Sequence, residues 1–230
     1  MEEKVKSISI IIPVFNGEAY IAEAILTALN QDYVYKEVIV INDGSTDKTA
    51  EICQLFGGKI IYYEQKNRGL GASRNQGVLL AKGQYIAFLD CDDLWEPTKL
   101  SGQMQNHADD ALHFTMIKQF YCSSLSDVEK SNITIHKEIL PGYCGSCLLL
   151  NRDLFQKVGL FHEKNEVGEF IEWYSRAMAL NIPVHLLEEV LAYRRVHANN
   201  MGRQRERYSR QEYLKVLKKN LELRRQKECV

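Results

Sequence analysis

The chain has 230 residues, 45% hydrophobic and 26% charged, with a formal net charge of −1. That is enough chain for a substantial core, in one domain or two merged subdomains. Near-neutral charge gives no support for a nucleic-acid partner, and no apolar run approaches the length that crosses a bilayer.

The charge is unevenly spread. Residues 1–200 carry 19 Lys/Arg against 26 Asp/Glu, whereas residues 201–230 carry 10 against 4. The N-terminal MEEKVKSIS is charged and runs straight into a strand-like segment, so no secretory signal is expected. Six scattered cysteines predict a reduced, cytoplasmic chain. Cys144-Gly-Ser-Cys147 is a CxxC without a second pair, which favours small residues packed under a strand over a metal site.

In chain order, strands are expected at Ile8–Pro13, Val38–Asn42, Lys59–Tyr63 and Tyr85–Leu89. Helices are expected near Ala19–Asn30, Asp47–Phe56 and Gly71–Ala81. The strands are rich in Ile and Val without strict alternation, which predicts burial on both faces of a parallel sheet. A helix follows Pro97 to about His107. Leu112 to Pro141 reads as irregular strands and loops, with 123–132 a turn or mobile segment. Asp153–Val158 and Phe170–Leu180 read as helices, and Val184–Tyr193 as one or two short strands. Arg203 to Lys227 reads as a long charged helix.

The resulting βαβα order implies an α/β Rossmann-like sandwich with a mostly parallel central sheet flanked by helices. Ligands then bind beyond the carboxyl ends of the strands. Each of the first four strands ends in, or leads to, polar chemistry: PVFN (13–16), NDGSTD (42–47), NRGLGASRN (67–75) and DCDD (90–93).

DCDD gathers three acids in four positions. In an extended chain Asp90 and Asp92 share one side, with Cys91 and Asp93 on the other. Two carboxylates about 5 Å apart repel by roughly 3 kcal/mol at an effective dielectric of about 20, so either one stays protonated or a cation sits between them, and three acids in four positions favour the cation. Oxygen ligands of this kind suit Mg²⁺ or Mn²⁺, ions that complete their shell with water and substrate phosphates. Gly44 permits a tight turn, and Ser45, Thr46 and Asp47 read as caps of the following helix. Asp43 stands at its strand end as an acceptor for a base-edge N–H, beside an apolar wall and an amide from Pro13, Val14, Phe15 and Asn16. Arg68 and Arg74 flank a helix entrance suited to anions. Arg74 is placed to reach a diphosphate or the acids at 90–93.

These four loops in this order, with KVGLFHE further on, resemble the family 2 glycosyltransferases of the GT-A fold over residues 7–200. The resemblance implies sugar transfer from a nucleotide-sugar donor, with inversion and a divalent cation. It implies that Pro13, Phe15 and Asp43 hold the base, for which uracil is expected ahead of guanine and thymine. It implies that Asp90 and Asp92 form the DxD pair, with Cys91 between them at the nucleotide. The catalytic base is expected in GEFIEWYSRA (168–177). Glu169 matches the first acid of the family's Glu-Asp pair, Phe170 replaces the second, and Glu172 is the alternative one turn on. YRRVHANNMG (193–202) resembles the family's Arg/His loop over the diphosphate. It offers Arg194 or Arg195 for phosphate, with Arg195 preferred, and His197 as a metal ligand or a donor to phosphate. Trp95 and Trp173 suit ligand stacking and core packing equally.

The expected organisation is a nucleotide-sugar half at 1–110, an acceptor half at 111–200 and a basic tail at 201–230. The acceptor is expected to be a saccharide, a lipid-linked molecule or a small molecule. Tyr208, Leu214, Leu217 and Leu221 form a narrow stripe in the tail, suited to packing on the domain, to a homodimer or to peripheral contact with an inner membrane surface. A nucleotidyltransferase and a non-catalytic nucleotide-sugar-binding or scaffold protein are the alternative readings.

Overall fold

The computed structural model of the chain describes residues 6–105, 107–133, 135–136, 138–163, 168–198 and 200. The expected tail helix at 203–227 lies outside the described residues.

Strand β1 (Ile8–Val14) is buried at every position, as befits a central strand covered on both faces. It pairs in parallel with β2 (Lys36–Asn42) and with β4 (Tyr85–Phe88), and β3 (Ile61–Glu64) adds in parallel beyond β2. Helices α1 (Ile21–Leu29), α2 (Thr49–Gln54) and α3 (Leu70–Leu80) lie in the connections between these strands. In α1 the buried residues are Ile21, Ala24, Ile25 and Ala28, the spacing of one helical face. Helix α3 comes closest to the sheet at Gly77, where any Cβ would land in the Ile11 side chain.

Beyond β4 the sheet becomes mixed. The later elements are β5 (Leu94–Trp95), α4 (Lys99–Gln105), β6 (Leu112–Tyr121), α5 (Asp127–Ser131) and β7 (Leu140–Pro141). They continue with β8 (Leu149–Asn151), α6 (Arg152–Val158), α7 (Glu169–Ala179) and β9 (Val184–Val196). The strand order is β3-β2-β1-β4-β8-β6-β9-β5, with β7 on β6. Strand β8 is antiparallel to both β4 and β6, while β6 and β9 run parallel. Among the described residues, no helix is long and apolar enough to cross a membrane.

Four expectations need correction. β3 is an edge strand with Ile61 and Tyr63 37% and 39% exposed, because it pairs with β2 alone; Lys59 falls in a short 3-10 turn before it. The segment after Leu112 is not irregular but opens with a ten-residue strand. Val184–Val196 is a single strand of 13 residues. The exposed Glu188 and Glu189 sit in a bulge, where the register passes from Thr115↔Leu187 to Met116↔Val190. That bulge hides the strand's continuity from its sequence pattern. Within 123–132, a capping box between Ser126 and Glu129 starts the short helix α5.

Because α3 and β1 meet through Gly77, Gly77→Ala is expected to cost about 1–3 kcal/mol through overpacking. Urea unfolding would show it as a lowered midpoint; an unchanged midpoint would mean that the helix can lift off Ile11 without cost.

Candidate active site at the strand ends

The first two loops are fastened to each other. The Asn16 N–H donates to Ser45 Oγ (2.9 Å), and Asn16 Oδ1 accepts from the Thr46 N–H (2.8 Å). The Gly17 N–H reaches Thr49 Oγ1, and Asp47 accepts from the Glu18 and Thr49 N–H groups. Asp47 therefore serves the α2 entrance as expected. Ser45 and Thr46 do not cap; they hold Asn16, whose side-chain oxygen is thereby engaged by the loop. Pro13 and Val14 are buried, leaving Phe15, 50% exposed, as the open apolar surface of this stretch.

Asp43 is 3% exposed, and its carboxylate is occupied by the loop after β3. Oδ1 accepts from the Arg68 N–H (2.9 Å) and from Gln65 Nε2 (2.7 Å); Oδ2 accepts from the Gly69 N–H (2.8 Å). The expected base-edge acceptor is thus a loop anchor first. Gln65, which the sequence did not single out, carries a buried Oε1 without a partner among the described residues. Gly44 sits at φ +73°, and a Cβ there would meet Asn67 N at 2.9 Å, so the close approach of these loops requires glycine. The Arg68 side chain pairs with Glu163 (2.7 Å) at the rim, both partly exposed.

Arg74 joins the two halves of the site. It is 2% exposed. Nη2 donates to Asp90 Oδ1 (2.6 Å) and Nη1 to Glu169 Oε1 (2.5 Å). Burial opposes its charge, but Asp90 and Glu169 outweigh it and raise its pKa. The guanidinium lies over Phe88 and Phe161. On another side it touches Gly145, where a Cβ would come within 2.8 Å of Nη2.

The acids do not alternate along an extended chain. The Asp93 N–H donates to Asp90 O (3.0 Å), so the backbone turns. Asp90 and Asp92 are still the open pair, with side chains 35% and 23% exposed. Asp93 is buried, accepting from Ser146 Oγ (2.7 Å) and the Arg195 N–H (3.2 Å). Burial first, then Asp92 and Asp90, hold its carboxyl pKa well above the usual range. The Cys91 side chain packs against Gly17 rather than facing a ligand. Asp92 Oδ2 lies 3.0 Å from His197 Nε2 and 3.1 Å from Asn200 Nδ2. Among the described residues, no three His, Cys, Asp or Glu side chains converge into a ready metal cage.

Three candidates turn out differently placed. The Arg195 side chain is committed inward: Nε donates to Asp92 O, Nη2 pairs with Glu23, and the guanidinium lies over Tyr20 and Phe120. It is not available to phosphate. Its neighbour Arg194 is an exposed residue on the strand's opposite face. Desolvation works against its charge, and Asp93, Cys144, Asp90 and Asp92 overcome it and raise the pKa. Glu172 is bound to Arg176 (2.9 Å), with His162 at 3.5 Å. Since Arg176 also donates to Val158 O and Leu160 O, Glu172 braces the loop before α7; Glu169 and Glu172 are alike 6% exposed and ion-paired. Trp173 is fully buried, with Nε1 on Gly159 O.

The CxxC supports the acids. Cys144 and Cys147 are free thiols 3.7 Å apart. Between them, Ser146 Oγ accepts from the Asp90 N–H (3.1 Å) and Ser146 O accepts from Trp95 Nε1 (2.6 Å). Beneath Trp95 lies the fully buried Lys99, its Nζ 4.0 Å from the ring centroid and donating to Gln103 Oε1.

Arg74→Met would strand a buried carboxylate at Glu169 and is expected to cost about 3 kcal/mol. That is the low end for breaking a buried pair, because Asp90 is partly solvated. Adding Glu169→Gln should recover part of the loss in urea unfolding; strictly additive losses would deny the coupling. Burial pulls Lys99 down to about 7. Between there and the ordinary lysine value near about 10.4, the unfolded chain holds the extra proton, so stability rises with pH across that window. Paired urea titrations should show that rise diminished in Lys99→Met; parallel slopes would contradict it.

A family model described as glycosyl transferase family 2 matches residues 9–159. An uncharacterized glycosyltransferase of Rickettsia typhi is 34% identical over 209 residues, 83% of this chain and 64% of that relative. Glycosyltransferase GlyA of Streptococcus pneumoniae is 43% identical over 89 residues, 37% of this chain and 14% of that protein. The crystal structure of S. aureus TarS 1-349 in complex with UDP-GlcNAc superimposes with a TM-score of 0.65 at 21% identity, over 85% of this chain and 60% of that one. At that identity the likeness is one of fold, and the shared architecture is an α/β sandwich with a curled mixed sheet. The chain belongs to glycosyl transferase family 2, and its fold matches that of GT-A glycosyltransferases.

Proposed function

We propose that this chain transfers a sugar, with inversion, from a UDP-sugar to an acceptor hydroxyl, assisted by Mn²⁺ or Mg²⁺. The observation that carries this reading is the buried Arg74 bridge, which holds one donor-side acid and one acceptor-side acid at fixed separation. Residues 1–110 form the nucleotide half and 111–200 the acceptor half. The basic tail at 201–230 serves membrane contact or pairing of two chains.

Phe15 supplies an apolar face for the base, and the unpaired Gln65 Oε1 beside Asp43 suits the N–H of a pyrimidine edge. TarS was crystallised with UDP and with UDP-GlcNAc, which supports a uracil nucleotide as the donor's carrier. Arg194 is the guanidinium best placed for the diphosphate.

The donor set fits a magnesium-like cation. Asp90 and Asp92 are open oxygen ligands, His197 stands beside Asp92, and such ions take one or two protein carboxylates and leave the remaining positions to water and phosphate. When bound there, the cation supplies Lewis-acid neutralisation of the departing diphosphate. The chain's own part is to orient and to move one proton. Arg74 fixes Glu169 through Oε1, and Glu169 Oε2 receives the acceptor hydroxyl's proton as the new glycosidic bond forms.

Melting curves with nucleoside diphosphates should rise most with UDP, and more with Mn²⁺ present. Asp92→Asn should erase the manganese increment. Glu169→Gln should lower transfer by about a hundredfold or more while UDP still raises the melting temperature. Intact transfer in that variant would remove the base role. UDP binding without turnover of any UDP-sugar would favour a non-catalytic binding protein.

A further inference from the structure

Four aromatic side chains gather on the acceptor side, and the reading above uses none of them. Tyr143 and Tyr174 stack at 6.1 Å with planes 25° apart, and Phe170 stacks on Tyr174 at 6.3 Å and 9°. Phe114 meets all three edge-on from the core. Phe114 is fully buried and Phe170 nearly so, but Tyr143 is 47% exposed and Tyr174 partly so. Among the described residues, neither tyrosine hydroxyl has a hydrogen-bond partner. Burial, then the neighbouring Tyr143, raises the Tyr174 pKa.

Both ends of the cluster adjoin, along the chain, residues that touch Arg74. Phe170 directly follows Glu169, whose carboxylate is on Arg74. Tyr143 directly precedes the turn that carries Gly145 against the same Arg74. At 170, where the family resemblance leads one to expect an acid, the chain instead places a ring that packs on Tyr174 and Phe114.

We infer that Tyr143 and Tyr174 form an acceptor subsite for a pyranose ring, so that the acceptor is a saccharide. A pyranose has an apolar C–H face and a rim of hydroxyls. A tyrosine pair with solvent-reaching hydroxyls matches both, whereas an acyl chain would leave those hydroxyls without partners. The inference rests on the glycosyl-transfer reading and deepens it.

The test measures UDP release from UDP-sugar with p-nitrophenyl β-glucoside, β-galactoside and β-N-acetylglucosaminide as acceptor probes. At least one should stimulate release, and Tyr143→Ala should raise its KM about tenfold, the scale of one lost aromatic contact. The donor KM should shift by less than about twofold, and Tyr143→Trp should restore acceptor binding. Equal shifts in both KM values, or none in either, would overturn the subsite. So would failure of every pyranoside while decyl phosphate competes for the same surface. If UDP itself fails to raise the melting temperature, it is the donor reading that falls. If UDP binds and no pyranoside does, the subsite alone falls.

Discussion

A single buried guanidinium sets the geometry on which the rest depends. Arg74 is removed from water with its charge intact, so the surroundings must supply negative charge at hydrogen-bond range. Asp90, at the end of the central strand β4, and Glu169, at the start of α7, meet that demand. Because the two acids come from distant parts of the chain, satisfying one arginine also docks α7 onto the elements of the first four strands. The constraint explains why Gly145 is glycine: a Cβ there would displace Nη2.

A second layer holds the acids themselves. Ser146 fixes the Asp90 backbone and the Asp93 carboxyl, and Trp95 fixes Ser146. The inward side chain of Arg195 clasps the Asp92 carbonyl, while Asn200 and His197 reach the Asp92 carboxylate. Like charges are thereby held together with two carboxylates left open.

The two flanks of the site are built from different materials. On one flank stand loops at parallel strand ends, tied to one another through Asn16, Asp43 and Asp47. On the other stand α7 and the turn before β8, with Phe170, Tyr174 and Tyr143 packed ring on ring.

Much of the fold was legible in the chain. The apolar runs of β1, β2 and β4 foretell their burial, though not that β3 lies at the edge, and Gly44 and the run of acids at 90–93 mark their loops, because these are local consequences of side-chain chemistry. The bulge at Glu188–Glu189 was not legible, since its extra residues break the period that reveals a strand. The fates of individual polar groups were not legible either. Asp43 could have faced a base and Arg195 a phosphate, and nothing local excludes those roles. Their side-chain hydrogen bonds run to residues 22 to 172 positions away. By itself the sequence determined which chemistry reaches the strand ends. Only the tertiary structure decided which groups spend their charge on each other and which keep it for a ligand, because that depends on partners brought close by folding.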